Sequence, residues 1–213
     1  MTNPTLQINE ALFDGDDAFA APQMRAALVE TFRFDDRRIL FGDGALQSLP
    51  DECQRLRAKR VYLVRDPALE ELSLRLQSCL AEAGIDVSVI DTDVVPNPTV
   101  ASVDGLAARL READSFDAVV ALGGGSTMDS CKVGMAVAAN GGSVPDYFGF
   151  DQFNAAPAWP LICLPTTAGT GAEASRVSVV ATDQGKQAIY DDKIQPRIAI
   201  VDPELTAKMP PVL

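Results

Sequence analysis

The sequence predicts an α/β protein in which a parallel sheet carries helices on both faces and is followed by a β-hairpin. Two observations lead to this prediction. Short apolar runs recur from residue 38 onwards, and segments with apolar residues three or four positions apart lie between them. Parallel strands need long crossover connections, so strands that alternate with helices indicate a parallel sheet.

The chain begins with a segment of mixed character, residues 1–31, which we interpret as an N-terminal extension. It carries an acidic patch at 14–17 and a helix is predicted over Pro22–Glu30. The domain proper is predicted over 32–213.

The first strand of this domain, Arg38–Phe41, ends at a glycine turn. Ala45–Leu56 has helical spacing, and the apolar run Arg60–Val64 predicts a buried strand. Pro67–Ala83 has leucines at helical intervals, and Gly84 is a typical helix stop.

The alternation continues with a strand over Asp86–Ile90 and a helix over Thr99–Glu112, whose apolar residues share one face. Asp117–Leu122 predicts a buried strand, Ser126–Ala139 a helix, and Leu161–Leu164 another strand.

The last part of the chain is rich in β-forming residues. Ser175–Thr182 and Gln187–Tyr190 flank the turn Asp183-Gln184-Gly185, which predicts the hairpin. Arg197–Val201 is the final strand, and Asp202-Pro203 starts a short turn.

Composition argues against several classes of partner and site. The net charge of −12 opposes binding to nucleic acid or an anionic membrane, because both need basic faces. The chain has no histidine, which excludes a Ser-His-Asp triad and histidine-ligated metals within it. No apolar run reaches the roughly 18 residues of a membrane helix and no signal peptide is apparent, so we expect a cytoplasmic protein whose four cysteines are buried and reduced.

The sharpest local feature is the glycine-rich segment Gly123–Lys132, GGGSTMDSCK, between a strand and a helix. Glycines let backbone approach a ligand closely, and the N–H groups of a helix N-terminus attract phosphate. Ser126 and Asp129 have the spacing of a capping box, and Lys132 either adds charge or pairs with Asp129. The segment lacks the third glycine of GxGxxG, so a glycine turn that only caps a helix stays open.

Two further features lie after predicted strands. The loop Pro165–Glu173, PTTAGTGAE, offers hydroxyls and glycines at the carboxyl end of the sheet, where open α/β sheets bind ligands. Asp66 follows Arg60–Val64 and is suited either to a ribose diol, which favours NAD over NADP, or to capping a helix that starts at Pro67.

Three segments together resemble the iron-containing (group III) alcohol dehydrogenases: GGGSTMDSCK at 123–132, PTTAGTGAE at 165–173 and IVDPEL at 200–205. VVPNPT at 94–99 and RILFGDGAL at 38–46 add to a resemblance that extends over about residues 32–213. It implies a Rossmann-like domain that binds NAD(H), the cofactor half of an enzyme that interconverts a small alcohol and an aldehyde or ketone.

The resemblance also implies which residues surround the cofactor. These are Asp66 at the adenosine ribose, Asn97 near the nucleotide, Gly124, Gly125, Ser126 and Asp129 at the pyrophosphate, Thr166, Thr167 and Thr170 from the phosphate towards the nicotinamide, and Lys186 at a ribose.

Members of that family continue into a helical domain whose one Asp and three His bind a divalent metal, iron or zinc. This chain stops at Leu213 and has no histidine, and Asp191-Asp192 are interpreted as exposed surface charge. The metal acts as a Lewis acid on the alcohol oxygen, so we expect this chain alone to bind NAD(H) but to turn over little or no alcohol.

Two other interpretations stay open. In the first, the chain is a non-catalytic nucleotide-binding or oligomerisation module. The resemblance implies a homodimer both for such a module and for the cofactor half of a dehydrogenase. The related folds of dehydroquinate synthase and glycerol dehydrogenases are the second, although both loop motifs fit the alcohol dehydrogenases better.

Overall fold

The computed structural model describes residues 30–34, 37–207 and 209. Within them the chain forms ten strands: β1 Glu30–Phe34, β2 Arg37–Phe41, β3 Arg60–Arg65, β4 Asp86–Asp91, β5 Ala118–Gly123, β6 Gly149–Phe150, β7 Leu161–Pro165, β8 Val177–Thr182, β9 Gly185–Tyr190 and β10 Ile198–Val201. It also forms four α-helices: α1 Leu49–Arg55, α2 Glu70–Glu82, α3 Val100–Glu112 and α4 Gly125–Asn140.

The central sheet has the strand order β1-β2-β10-β7-β5-β3-β4. All neighbours pair in parallel except β1, which runs antiparallel to β2 at one edge. A smaller sheet, β6-β9-β8, contains the predicted hairpin of β8 and β9. The predicted Rossmann-like α/β architecture is confirmed.

Helices cover both faces of the central sheet, as alternating strand residues require. Along β3, Leu63 packs in a core cluster with residues of α1 and α2, such as Leu76. Its neighbour Val64 packs in a second cluster with residues of α3 and α4, such as Leu106 and Met128. No helix in the described parts of the chain has the length and apolar character that crossing a bilayer would need.

Two predicted helices differ from the structure at their starts. Ala45–Ser48 and Pro67–Leu69 are short 3₁₀ turns that precede α1 and α2. The second turn begins at a proline and is capped by Asp66, whose carboxylate accepts a hydrogen bond from Ala68 N at 2.9 Å.

Strand β1 was not predicted, and it takes in Glu30 and Thr31 at the end of the predicted extension. The helix predicted over Pro22–Glu30 and the acidic patch lie outside the described residues, apart from Glu30, which is in a strand.

The interpretation of Asp191 as surface charge is wrong. Asp191 is fully buried. It caps a short turn over Asp192–Ile194 by accepting a hydrogen bond from Lys193 N, and its other carboxylate oxygen accepts one from Phe153 N. Its neighbour Asp192 is exposed as expected. Of the four free cysteines, Cys79 alone is partly exposed and the other three are buried.

The side chain of Asp202 holds the segments 38–46 and 200–205 next to each other in the fold. Its buried carboxylate accepts hydrogen bonds from Gly44 N at 3.2 Å, Leu46 N at 3.0 Å and Glu204 N at 3.0 Å. One side chain thus joins the turn after β2 to the 3₁₀ turn Pro203–Thr206, which starts at the carboxyl end of β10.

Candidate cofactor-binding cleft

A cleft of about 880 Å³ lies at the carboxyl ends of β3, β5 and β7. This is the edge at which open α/β sheets bind ligands, and the volume is in the range of small-molecule sites. Every cofactor-contacting residue predicted from the sequence lines this one cleft: Asp66, Asn97, Gly124, Gly125, Ser126, Asp129, Thr166, Thr167, Thr170 and Lys186.

The glycine-rich segment opens α4 without a side-chain cap. Gly124 is the N-cap residue and the helix starts at Gly125, one residue earlier than predicted. Ser126 therefore lies inside the first turn, where its hydroxyl accepts a hydrogen bond from Asn97 N at 3.1 Å. The predicted capping box of Ser126 and Asp129 is wrong, and the first-turn residues Gly125, Ser126 and Thr127 line the cleft.

Two of these glycines are required by close approach rather than by backbone angles. A Cβ atom at Gly124 would lie 3.0 Å from Thr167 Oγ1, and one at Gly125 would lie 2.9 Å from Thr170 Cγ2. Neither glycine has a positive φ. The glycine segment and the threonine loop therefore pack directly against each other.

The threonine loop, residues 166–176, follows β7 beside the end of β5. Thr166 N donates to Gly123 O at 2.9 Å, which joins the starts of the two loops. The loop then turns at Gly169 and Gly171, whose φ angles of 110° and 63° favour glycine. Thr170 Oγ1 accepts a hydrogen bond from Ala172 N at 3.3 Å.

Asp66 occupies the end of β3, where its backbone N–H donates to Leu122 O of β5 at 3.2 Å. One carboxylate oxygen caps the following turn through Ala68 N. The side chain is nevertheless partly exposed and lines the cleft. Helix capping and a position suited to ribose binding are thus compatible at this residue.

The opposite wall is formed by the segment after β4 and by the hairpin. Asn97 has a positive φ of 55°. Next to it, Pro98 O accepts a hydrogen bond from Ala181 N of β8 at 2.6 Å. Lys186, which pairs with Ala181 across the hairpin, is exposed at the cleft.

A buried ion pair fixes the segment after β4. Asp91 is almost fully buried and accepts hydrogen bonds from Arg109 Nε at 2.7 Å and Tyr62 Oη at 2.8 Å. Arg109 also contacts Asp93 at 2.9 Å. Burial, reinforced by the hydrogen bond to Asp91, raises the pKa of Tyr62, so this phenol serves as a donor rather than as a base.

Lys132 does not line the cleft. Its side chain is fully buried and its ammonium lies 3.3 Å from Asp129 Oδ1. Of the two roles predicted for Lys132, the structure therefore supports pairing with Asp129 rather than added charge in the cleft. Burial lowers the pKa of Lys132 from its ordinary value. The second carboxylate oxygen of Asp129 accepts a hydrogen bond from Val179 N at 3.1 Å.

The apolar part of the lining was not predicted, because isolated apolar residues look like core. It includes Leu69, Leu72, Val94, Val95, Pro96, Leu205 and Met209. The run VVPNPT contained the available signal for three of them.

Metal chemistry has no matching donor set among the residues described. None of their His, Cys, Asp and Glu side chains form a group of three or more that could hold a metal ion. Burial also raises the pKa of the thiols of Cys131 and Cys163, which keeps them protonated.

Comparison with known proteins decides the family. The family model described as "Iron-containing alcohol dehydrogenase" matches residues 36–203. This chain belongs to the iron-containing alcohol dehydrogenase family.

Individual members of the iron-containing alcohol dehydrogenase family resemble the chain over most of its length. It is 36% identical to alcohol dehydrogenase 4 of Saccharomyces cerevisiae, covering 81% of this chain and 46% of the relative. It is also 36% identical to the NAD-dependent methanol dehydrogenase of Bacillus methanolicus, covering 80% and 45%. The crystal structure of sulfoacetaldehyde reductase from Bifidobacterium kashiwanohense in complex with NAD+ matches with a TM-score of 0.70 and 36% identity, covering 81% and 46%. The chain thus spans less than half the length of these family members.

Proposed function

We propose that this chain binds NAD(H) in the cleft and forms the cofactor-binding part of a metal-dependent alcohol dehydrogenase, which interconverts an alcohol and an aldehyde or ketone. One observation carries the proposal. The N-terminus of α4, which has no side-chain cap, meets the threonine loop at the carboxyl ends of two adjacent strands.

The pyrophosphate of NAD(H) fits the start of α4. The N–H groups of the first turn and the helix dipole both favour an anion there. Gly124 and Gly125 leave the backbone accessible, and Thr166, Thr167 and Thr170 place hydroxyl donors beside it. Similar family members support this assignment, since one is named NAD-dependent and another was crystallised with NAD+.

Asp66 provides the preference for NAD(H) over NADP(H). Its carboxylate stands at the end of β3, next to the strand that leads into the glycine segment. A carboxylate accepts hydrogen bonds from a ribose diol and repels a 2′-phosphate. Asn97 and Lys186 would hold the cofactor from the opposite wall.

The family's metal does not fit the residues described, which offer no group of three or more His, Cys, Asp or Glu side chains that could hold it. The sequence contains no histidine. When bound, such a metal polarises the alcohol oxygen during hydride transfer, and we propose that its ligands come from outside these 213 residues. This chain alone is then expected to bind cofactor without appreciable alcohol turnover, as a homodimer in the manner that the family resemblance implies.

A titration with NADH followed by cofactor fluorescence tests the proposal, with NADPH as the comparison ligand. Saturable NADH binding is expected, with weaker NADPH binding. Gly125→Asp should abolish it by placing a carboxylate at the pyrophosphate, and Asp66→Ala should narrow the NADH–NADPH difference. Absence of wild-type binding at near-millimolar NADH would reject the proposal.

The alternative of a non-catalytic module predicts the same binding, so a second experiment separates the two. The purified helical half of a relative is added with an alcohol and NAD+, and NADH formation is recorded. Turnover favours the dehydrogenase part, whereas binding without turnover favours the module.

A further inference from the structure

The conformation of the threonine loop depends on contacts with residues outside it. Gly169 and Gly171 sit at positive φ, and neither Cβ position would meet a neighbouring atom. Thr170 lies between these glycines and is exposed, and Thr167 lies two positions before Gly169. Glycine allows the backbone many conformations. The sequence of the loop therefore does not by itself fix the positions of the two threonine hydroxyls.

Lys132 supplies such contacts from within α4. Its ammonium donates to Ala172 O at 3.1 Å, to Ser175 Oγ at 3.3 Å and to Val177 O. It lies 3.3 Å from Asp129 Oδ1, the one carboxylate among these acceptors. A lysine ammonium has three donors and no acceptor, which suits a site made of converging oxygens.

The four residues that Lys132 contacts all line the cleft, and one of them, Ala172, leads on to the start of α4. Ala172 O binds Lys132, while Ala172 N donates to Thr170 Oγ1. Thr170 in turn packs against Gly125 at the start of α4. The position of Lys132, two turns further along the same helix, therefore determines the distance between the threonine hydroxyls and the first-turn N–H groups.

We propose that Lys132 is a positioning residue that sets NAD(H) affinity without touching the cofactor, by holding the threonine loop against the N-terminus of α4. This inference rests on the proposed function. It makes the loop a preformed wall of the cleft, so that the hydroxyls and the helix N-terminus meet the same phosphate groups without rearrangement.

The test compares Lys132→Met with Glu52→Gln, which disturbs a different buried charge. Glu52 pairs with Arg38 at 2.9 Å and does not line the cleft. Both variants are expected to lower the melting temperature, but only Lys132→Met should raise the NADH Kd, by at least about tenfold. Without cofactor, Lys132→Met should also accelerate amide exchange in residues 168–175 and leave α3 unchanged.

The outcomes separate the two proposals. If the wild type fails to bind NADH, the proposed function fails and this inference with it. If the wild type binds and both variants bind as tightly, the positioning role alone is overturned. Loss of affinity in Glu52→Gln equal to that in Lys132→Met would also overturn it, because the effect would then follow stability rather than the loop.

A measurement on the wild type keeps the inference testable should Lys132→Met not fold. Asp129, Glu173 and Cys163 are the titratable groups that act on Lys132, and burial raises the pKa of the Cys163 thiol. Because burial lowers the pKa of Lys132, its ammonium loses its proton below the usual value of 10.5. In a Lys186→Met background, which removes the lysine of the cleft, the NADH Kd is expected to rise as the pH approaches that value, and a Kd that stays constant up to that pH would contradict the role.

Discussion

A single methyl group at Gly125 tests the contact between the glycine segment and the threonine loop. In Gly125→Ala, the new Cβ would lie 2.9 Å from Thr170 Cγ2 and 3.1 Å from Thr170 Oγ1. Ordinary carbon–carbon contacts lie at roughly 3.5–4.0 Å, so Thr170 or the helix start must move by about half an ångström or more.

Two opposing contributions determine the change in stability. Overpacking of this kind costs about 1–3 kcal/mol. Alanine is a better helix former than glycine by about 1 kcal/mol at most, and less in a first turn. The net expectation is a loss of about 1 kcal/mol in the free energy of unfolding, together with a rise of about tenfold or more in the NADH Kd, because the displaced Thr170 and the methyl group both obstruct the phosphate position.

Urea unfolding and NADH titration of the same preparations provide the assay. Gly134→Ala is the matched control, since Gly134 lies further along α4 and its Cβ would meet only the side chain of Leu106, at 3.1 Å, away from the cleft. It should lower the stability by a similar amount or less and leave the NADH Kd unchanged. Thr170→Ser removes Cγ2 but keeps the hydroxyl, so adding it to Gly125→Ala should recover part of the lost stability. A Gly125→Ala chain that unfolds and binds like the wild type would refute the close-contact argument.

Three further predictions follow from the same structure. Asp202→Ala should lower the free energy of unfolding by about 2–4 kcal/mol in urea, because three backbone N–H groups lose a buried carboxylate; a loss below about 1 kcal/mol would contradict this. Hydrogen bonds from the backbone of Lys59 and Arg60 lower the pKa of Asp117, so the stability difference between wild type and Asp117→Asn should be full above pH about 3.8 and disappear as the pH falls further, which acid titration of unfolding would check. Treatment with EDTA should leave the NADH Kd unchanged, and an affinity lost on chelation and restored by a divalent ion would show that this chain holds the metal itself.

The strands of the sheet centre could be predicted because their apolar runs have no competing interpretation. In β5 all six residues are buried, which is why the sequence shows an unbroken apolar stretch. β1 was missed because an edge strand is constrained on fewer sides, and its sequence ETFRF mixes polar and apolar residues.

The residues of the cleft were found through motifs, but their local interactions were not. The capping box failed because an alternative acceptor role for Ser126 arises only when Asn97, 29 positions away, is folded beside it. The environment of Lys132 could not be predicted either, since its backbone acceptors are carbonyls of the threonine loop and of β8, 40 and 45 positions further along. Contacts with distant backbone leave no pattern in side-chain spacing.

The inward position of Lys132 has a consequence for ionic strength. Among the charged residues that line the described cleft, Asp66, Glu71 and Asp129 are acidic and only Lys186 is basic, on a chain of net charge −12. An anionic cofactor is therefore repelled at long range and attracted only at hydrogen-bond distance. Salt screens the repulsion over about 10 Å at 0.1 M but barely weakens the short contacts. Association with this protein should consequently become faster as salt is added, the reverse of the behaviour of proteins that draw anions in with lysine and arginine.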